Sequence, residues 1–111
     1  MNATNVKELT NIDFGPFKPY IEDDHVKQII YYGKDLILGT TNNGYVNTDY
    51  NINPEFVDKL AESVREQLGV EWGLKNPIIK TKINGYNVSF TYKELGYHNM
   101  TNMYISKLKY L

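Results

Sequence analysis

Cysteine is absent from this chain, which removes disulfides, thiolate nucleophiles and cysteine-ligated metal centres from consideration. Arginine occurs once, as Arg65, against eleven lysines. A surface that grips phosphate with planar, two-pronged donors would need more of it. The formal net charge is −1, so no overall field draws the chain onto nucleic acid or an anionic membrane. No apolar run reaches the roughly 18 residues of a membrane-spanning helix, and no secretory leader opens the sequence. These absences lead to the expectation of a cytoplasmic protein. The length of 111 residues allows one core and not two. The aromatic share of 14% is high enough to mark a folded chain rather than a disordered one.

Catalytic and metal-binding patterns are missing as well. The two histidines, His25 and His98, lie far apart, and no second ligand stands at metal-site spacing from either. Gly33-Lys34 looks like a fragment of a phosphate loop. The full motif needs a glycine five residues before that pair and a Ser or Thr after it, and those positions hold Gln28 and Asp35. Ser63, Ser89 and Ser106 come with no base and orienting acid arranged around them. Paired carboxylates converge in space and not in sequence, and nothing singles out a pair. The reading is a protein without a catalytic site and without a cofactor, with an enzyme built from dispersed residues as the lesser alternative.

What is present centres on residues 53–92. Asn53 is suited to cap a helix, because its side-chain oxygen can accept from the unpaired N–H groups of the first turn. Pro54 follows at the first helical position, where its missing N–H costs nothing. Phe56, Val57, Leu60, Ala61, Val64 and Leu68 recur at spacings of three and four, which makes one apolar stripe. Gly69 supplies the left-handed residue that ends such a helix. Asn84-Gly85 then marks a two-residue hairpin turn between two alternating runs. With that turn Ile83 faces Tyr86, Thr81 faces Val88 and Ile79 faces Phe90. Those residues share one apolar face with Tyr92, while Lys80, Lys82, Asn87, Ser89 and Lys93 share the other.

The remaining strands follow from similar signals. Val26–Tyr32, Asp35–Thr41 and Tyr45–Tyr50 read as a meander closed by Gly33-Lys34 and by Asn42-Asn43-Gly44. Residues 102–111 read as a sixth strand after a loop containing Gly96. The expected architecture is α+β: an antiparallel sheet of about six short strands in the order βββ-α-βββ, with one long amphipathic helix packed on it. Residues 1–13 have little periodicity and read as a flexible start before a single domain over 14–111. Phe14, Phe17, Tyr20 and Ile21, punctuated by Pro16 and Pro19, read as a turn or short helix laid over a sheet edge. Trp72 reads as a plug at one end of the core.

Two surfaces stand out. The last strand is apolar on both faces, through Met103, Tyr104, Ile105, Leu108, Tyr110 and Leu111. At an open sheet edge such a strand would pair with another chain. Met103, Tyr104, Ile105, Lys107, Lys109 and Tyr110 are therefore the expected interaction residues. Lys80, Lys82 and Lys93 form a candidate basic face, which with Tyr92, Tyr104 and Tyr110 has the ingredients of a single-strand nucleic-acid surface. The balanced charge argues against that use, since a basic footprint normally shows in the whole domain. Lysines on an outer strand face also serve to keep a sheet soluble.

These elements, in this order, resemble the N-terminal domain of the hexameric ATPases of type II and type IV secretion systems, the archaeal pilus and archaellum motors in particular. Residues 15–23, Gly-Pro-Phe-Lys-Pro-Tyr-Ile-Glu-Asp, are similar to the family's Gly-Pro-Leu-x-Pro-Leu-Leu-x-Asp entry. His25–Tyr32 and Phe56–Leu68 resemble its next strand and its helix. Asn76-Pro77-Ile78-Ile79 resembles its Pro-Ile-Val-Asp strand, and residues 84–88 its Asp-Gly-Ser-Arg-Val hairpin. Residues 104–108 resemble the Thr-Ile-Arg-Lys-Phe strand that leads into the motor. The resemblance implies a ring-forming, partner-binding domain without the engine, because the sequence stops where the motor's phosphate loop would begin. The family's hairpin arginine falls on Asn87 and its exit-strand arginine on Ser106. In the family those arginines help engage nucleotide held by a neighbouring motor domain, and neither Asn nor Ser can replace a guanidinium there. The expectation is a non-enzymatic module that self-associates or docks to an ATPase or other protein partner. The alternative is a small virus- or plasmid-type binding protein that engages a host protein or nucleic acid.

Overall fold

Helix and hairpin form where capping and turn chemistry place them. The computed structural model describes residues 8–33, 35–48 and 51–107. Helix α2 runs over Pro54–Leu68, and its fifteen residues make about four turns, shorter than the long helix expected. The Asn53 side chain accepts from the Glu55 amide at 2.9 Å. Gly69 closes the helix with φ 68°, its amide donating to the carbonyls of Arg65 and Glu66. Val57, Leu60, Ala61 and Val64 are its buried positions.

The strands are β1 (Val26–Tyr32), β2 (Asp35–Thr40), β3 (Gly44–Thr48), β4 (Ile78–Ile83), β5 (Tyr86–Thr91) and β6 (Asn102–Ser106). Between β4 and β5 the register is Ile83 to Tyr86, Thr81 to Val88 and Ile79 to Phe90, as the Asn-Gly turn dictates. Both turn residues have positive φ, 51° at Asn84 and 87° at Gly85, which a type I′ turn requires. The fold is α+β, with the six described strands in one sheet and each pair of neighbouring strands antiparallel.

The strand order is β3-β2-β1-β6-β5-β4. The two hairpin groups are therefore joined through their first and last strands, and β6 lies in the middle, bonded to β1 on one side and to β5 on the other. The expectation of an open C-terminal edge strand is overturned. Its apolar residues answer to a central position, where both hydrogen-bonding sides are already paired.

One face of the sheet carries the core. Ile29 and Tyr31 of β1, Leu36 and Leu38 of β2, Met103 and Ile105 of β6, Val88 and Phe90 of β5, and Ile79 and Ile83 of β4 are buried with the apolar stripe of α2. The proline-punctuated segment lies on this face too. A 3-10 turn at Gly15–Phe17 runs into the short helix α1 (Lys18–Glu22). Phe17 has no exposed surface and meets the ring of Tyr31 edge-on at 5.9 Å. It thus packs over an inner strand and not over the sheet edge. Trp72 is half-buried, donates to the Pro77 carbonyl at 3.0 Å and stands edge-on to Tyr92 at 5.4 Å.

The end of the segment read as flexible is anchored where it is described. Leu9 is buried. Its amide donates to the Lys82 carbonyl at 2.9 Å and its carbonyl accepts from the Asn84 amide at 2.8 Å. The Asn84 side chain also donates to the Ile12 carbonyl at 3.0 Å. Residues 8–13 therefore pad the outer side of β4 at its turn end.

Candidate interaction surface

Alternation along each strand sends the other set of side chains to the opposite face of the sheet, away from the core shared with α2. On β6 this set is Asn102, Tyr104 and Ser106. Tyr104 sits opposite Ile30 of β1 on one side and Ser89 of β5 on the other. Ser106 sits opposite Gln28 and Asn87. At the outer strand Lys80 pairs with Ser89 and Lys82 with Asn87. Lys80, Lys82, Asn87, Ser89, Tyr104 and Ser106, with Glu8 at the rim, line a concavity of about 850 Å³. Farther along the same face Tyr32 packs against Tyr97 at 5.7 Å between ring centres.

The structure divides the expected interaction residues. Tyr104 is 36% exposed and lies in the concavity. Met103 and Ile105, its neighbours on the strand, point into the core, with 1% and 0% of their surface exposed. They cannot be contact residues while the domain is folded. Lys109 and Tyr110 lie outside the described residues.

Lys107 has a different task from partner selection. Its Nζ donates to the Tyr20 carbonyl at 3.1 Å and to the Asp23 carbonyl at 2.9 Å. Those carbonyls belong to the last turn of α1, where a cation is stabilising. Partial burial pushes the Lys107 ammonium below its ordinary pKa, and the Asp23 carboxylate opposes that shift. Asp23 is itself held low, chiefly because its carboxylate accepts from the His25 amide. Replacing Lys107 by methionine is expected to lower stability by about 1 kcal/mol, the scale of a cation on a helix C-terminus. A urea midpoint shift at unchanged slope measures it, and an unmoved midpoint would mean that the lysine contributes nothing there.

The basic face contracts in the same way. Lys80 and Lys82 share the face opposite the core, but Lys93 falls in a 3-10 turn over Lys93–Leu95, beyond the end of β5. Arg65 is engaged at the far end of α2, where its Nη2 and Nε donate to the Glu62 carboxylate at 2.6 and 2.8 Å. His25 precedes β1, and His98 lies in the loop before β6, so the antiparallel β1–β6 pair holds them at opposite ends of the sheet. Among the described residues no group of three or more His, Cys, Asp or Glu converges as a metal site would require. No helix among them is long and apolar enough to cross a membrane.

Asn87 and Ser106 were singled out in the sequence from separate motifs. They prove to be directly opposed across the β5–β6 pair, on the floor of the concavity. No protein-family model and no curated protein sequence matches the chain. Its structure matches that of the VirB11 ATPase from the Brucella suis type IV secretion system in complex with sulphate, with a TM-score of 0.71 over 84% of this chain. The fold resembles that of a secretion ATPase's N-terminal part. The sequence identity is 10%, so the likeness is one of fold. The chain spans 28% of the length of that ATPase chain.

Proposed function

We propose that this domain is a non-catalytic interaction module whose sheet face opposite the core docks a protein partner, an ATPase motor domain or a subunit of similar kind. The observation that carries the reading is the one-sided sheet. Among the described residues the single layer of strands has its core on one face, and on the other it offers a shallow surface around Tyr104, Lys80, Lys82 and Asn87, with the buried Ser106 at its floor. The fold likeness to a secretion ATPase supports it. So does the pairing of Asn87 with Ser106, since in the resembling family arginines at those two positions face nucleotide held by a motor domain. Here an amide and a buried hydroxyl occupy them, which suits docking without phosphate recognition. Tyrosine is among the residues enriched at protein interfaces.

A second reading has one observation in its favour. Lys80, Lys82 and Tyr104 line the same concavity, and two cations beside an aromatic ring can hold a single strand of nucleic acid by charge and stacking.

Substitutions on this face separate the two readings. Tyr104→Glu changes a surface side chain and is expected to leave the melting temperature within a few degrees of wild type. Affinity capture from the native cell extract with wild-type and variant chains should retain a specific protein on the first and lose it on the second. A partner captured equally by both would remove the sheet face from consideration. Saturable, steeply salt-dependent binding of a single-stranded oligonucleotide, lost in Lys80→Glu with Lys82→Glu, would replace the first reading by the second.

A further inference from the structure

The two edges of the sheet are treated differently. At β4 the turn end is occupied by Leu9, whose amide and carbonyl bond Lys82 and Asn84. Pro77 stands at its entry, and Lys80 and Lys82 alternate along it. Short pairing segments, proline and lysine are devices by which proteins protect an edge from other chains. Strand β3 ends the sheet order on the other side and carries no proline and no lysine, and no bridge joins another described segment to its outer side. Gly44-Tyr45-Val46-Asn47-Thr48 contains no charge and no proline, and it pairs with β2 without a bulge.

This edge is also held in shape. Gln28, Gly39 and Tyr45 form one row across β1, β2 and β3. The Tyr45 hydroxyl donates to Gln28 Oε1 at 2.8 Å, so the ring must pass over the strand between them. Gly39 lies there, and a Cβ on it would stand 3.1 Å from the Tyr45 ring and 2.9 Å from the Gln28 amide oxygen. The missing side chain gives the tyrosine its path. At the turn, Thr40 Oγ1 donates to the Gly44 carbonyl at 2.8 Å and accepts from the Asn43 amide at 3.0 Å. The strand is thereby fixed flat against the sheet while Tyr45 remains 67% exposed and Val46 37% exposed.

We infer that β3 is a self-pairing edge, at which two copies of this chain join in antiparallel register about a two-fold axis at Val46. A strand without charge meets its own copy without like-charge repulsion. That axis sets valine against valine on the core side and Tyr45 beside Asn47 on the opposite side. It also continues an all-antiparallel sheet in the same sense. The assembly closes at two, because both of its outer edges are then β4, guarded by Leu9 and the lysines. The inference does not depend on the docking reading: Tyr45 and Val46 lie outside the Tyr104 concavity, and Tyr104→Glu should leave self-pairing unchanged. A single five-residue strand pair is small beside a standard interface of roughly 1,600 Å², so the dimer is expected to be weak.

Sedimentation velocity on the whole chain, from about 5 μM to 1 mM, is the test. Wild type should shift from monomer to dimer across that range. Val46→Lys and Val46→Glu, each confirmed as folded by circular dichroism, should stay monomeric when alone. Mixed in equal amounts they should form a heterodimer, since the two-fold places the opposite charges face to face. A folding defect would not be relieved by mixing. Wild type that remains monomeric throughout, a dimer that survives Val46→Lys, or variants that fail to pair on mixing would each overturn the inference. A foreign peptide strand adding at β3, with no self-association, would do so as well.

Discussion

Replacing Ile105 by lysine is expected to leave no folded protein. Ile105 has no exposed surface and sits in β6 between Ile29 of β1 and Val88 of β5, beneath α2. Both neighbouring strands are bonded to it, so the strand cannot swing out to free an ammonium group. Loss of the buried aliphatic side chain costs about 2–5 kcal/mol. A charge left without a partner in that site adds a penalty of several kcal/mol, paid either as desolvation or as forced deprotonation. Together these approach the roughly 5–15 kcal/mol that stabilises a domain of this size. Circular dichroism should show the loss, and Tyr104→Glu, one residue earlier, should retain a native spectrum. A folded Ile105→Lys protein with cooperative melting would mean that β6 is not the central strand.

Phe90→Ala is the second large effect. Phe90 is fully buried, faces Ile79 across the β4–β5 hairpin and faces Met103 on its other side. Truncation removes a ring from a face closed by helix α2 and should cost about 3–5 kcal/mol. At several degrees per kcal/mol the melting temperature should fall by roughly 15 °C or more. Ser89→Ala, on the opposite face of the same strand, should move it by no more than a degree or two. Equal effects at 89 and 90 would show that the hairpin is displaced by one residue, since a slip of one exchanges the faces.

These two substitutions also separate what could be read along the chain from what could not. The faces of β4 and β5 were legible because an Asn-Gly turn sets the register locally, within a few residues of every pair it governs. The limits of α2 were legible for the same reason, with Asn53, Pro54 and Gly69 each acting on its own turn. Asn87 and Ser106 were identified through short motifs, but that they face one another had no local signal. Leu9 was missed because a single apolar residue has no periodicity to announce it. Its burial is earned from Lys82 and Asn84, more than seventy positions away.

The sequence by itself determined the element order, the helix and its caps, the hairpin register and the α+β class. Each of these rests on interactions between residues close in the chain. The tertiary structure alone decided that β6 is inserted between β1 and β5, that Ile105 is core while Tyr104 is surface, and that Lys107 caps α1. It also decided that β3 and β4 are the two ends of the sheet order. An apolar strand can meet its need for burial at any position in a sheet, and its own residues do not say which. That choice is made by whichever arrangement pairs the most backbone groups and buries the most apolar surface at once. Such a sum runs over strands that are distant in sequence, and no window along the chain contains it.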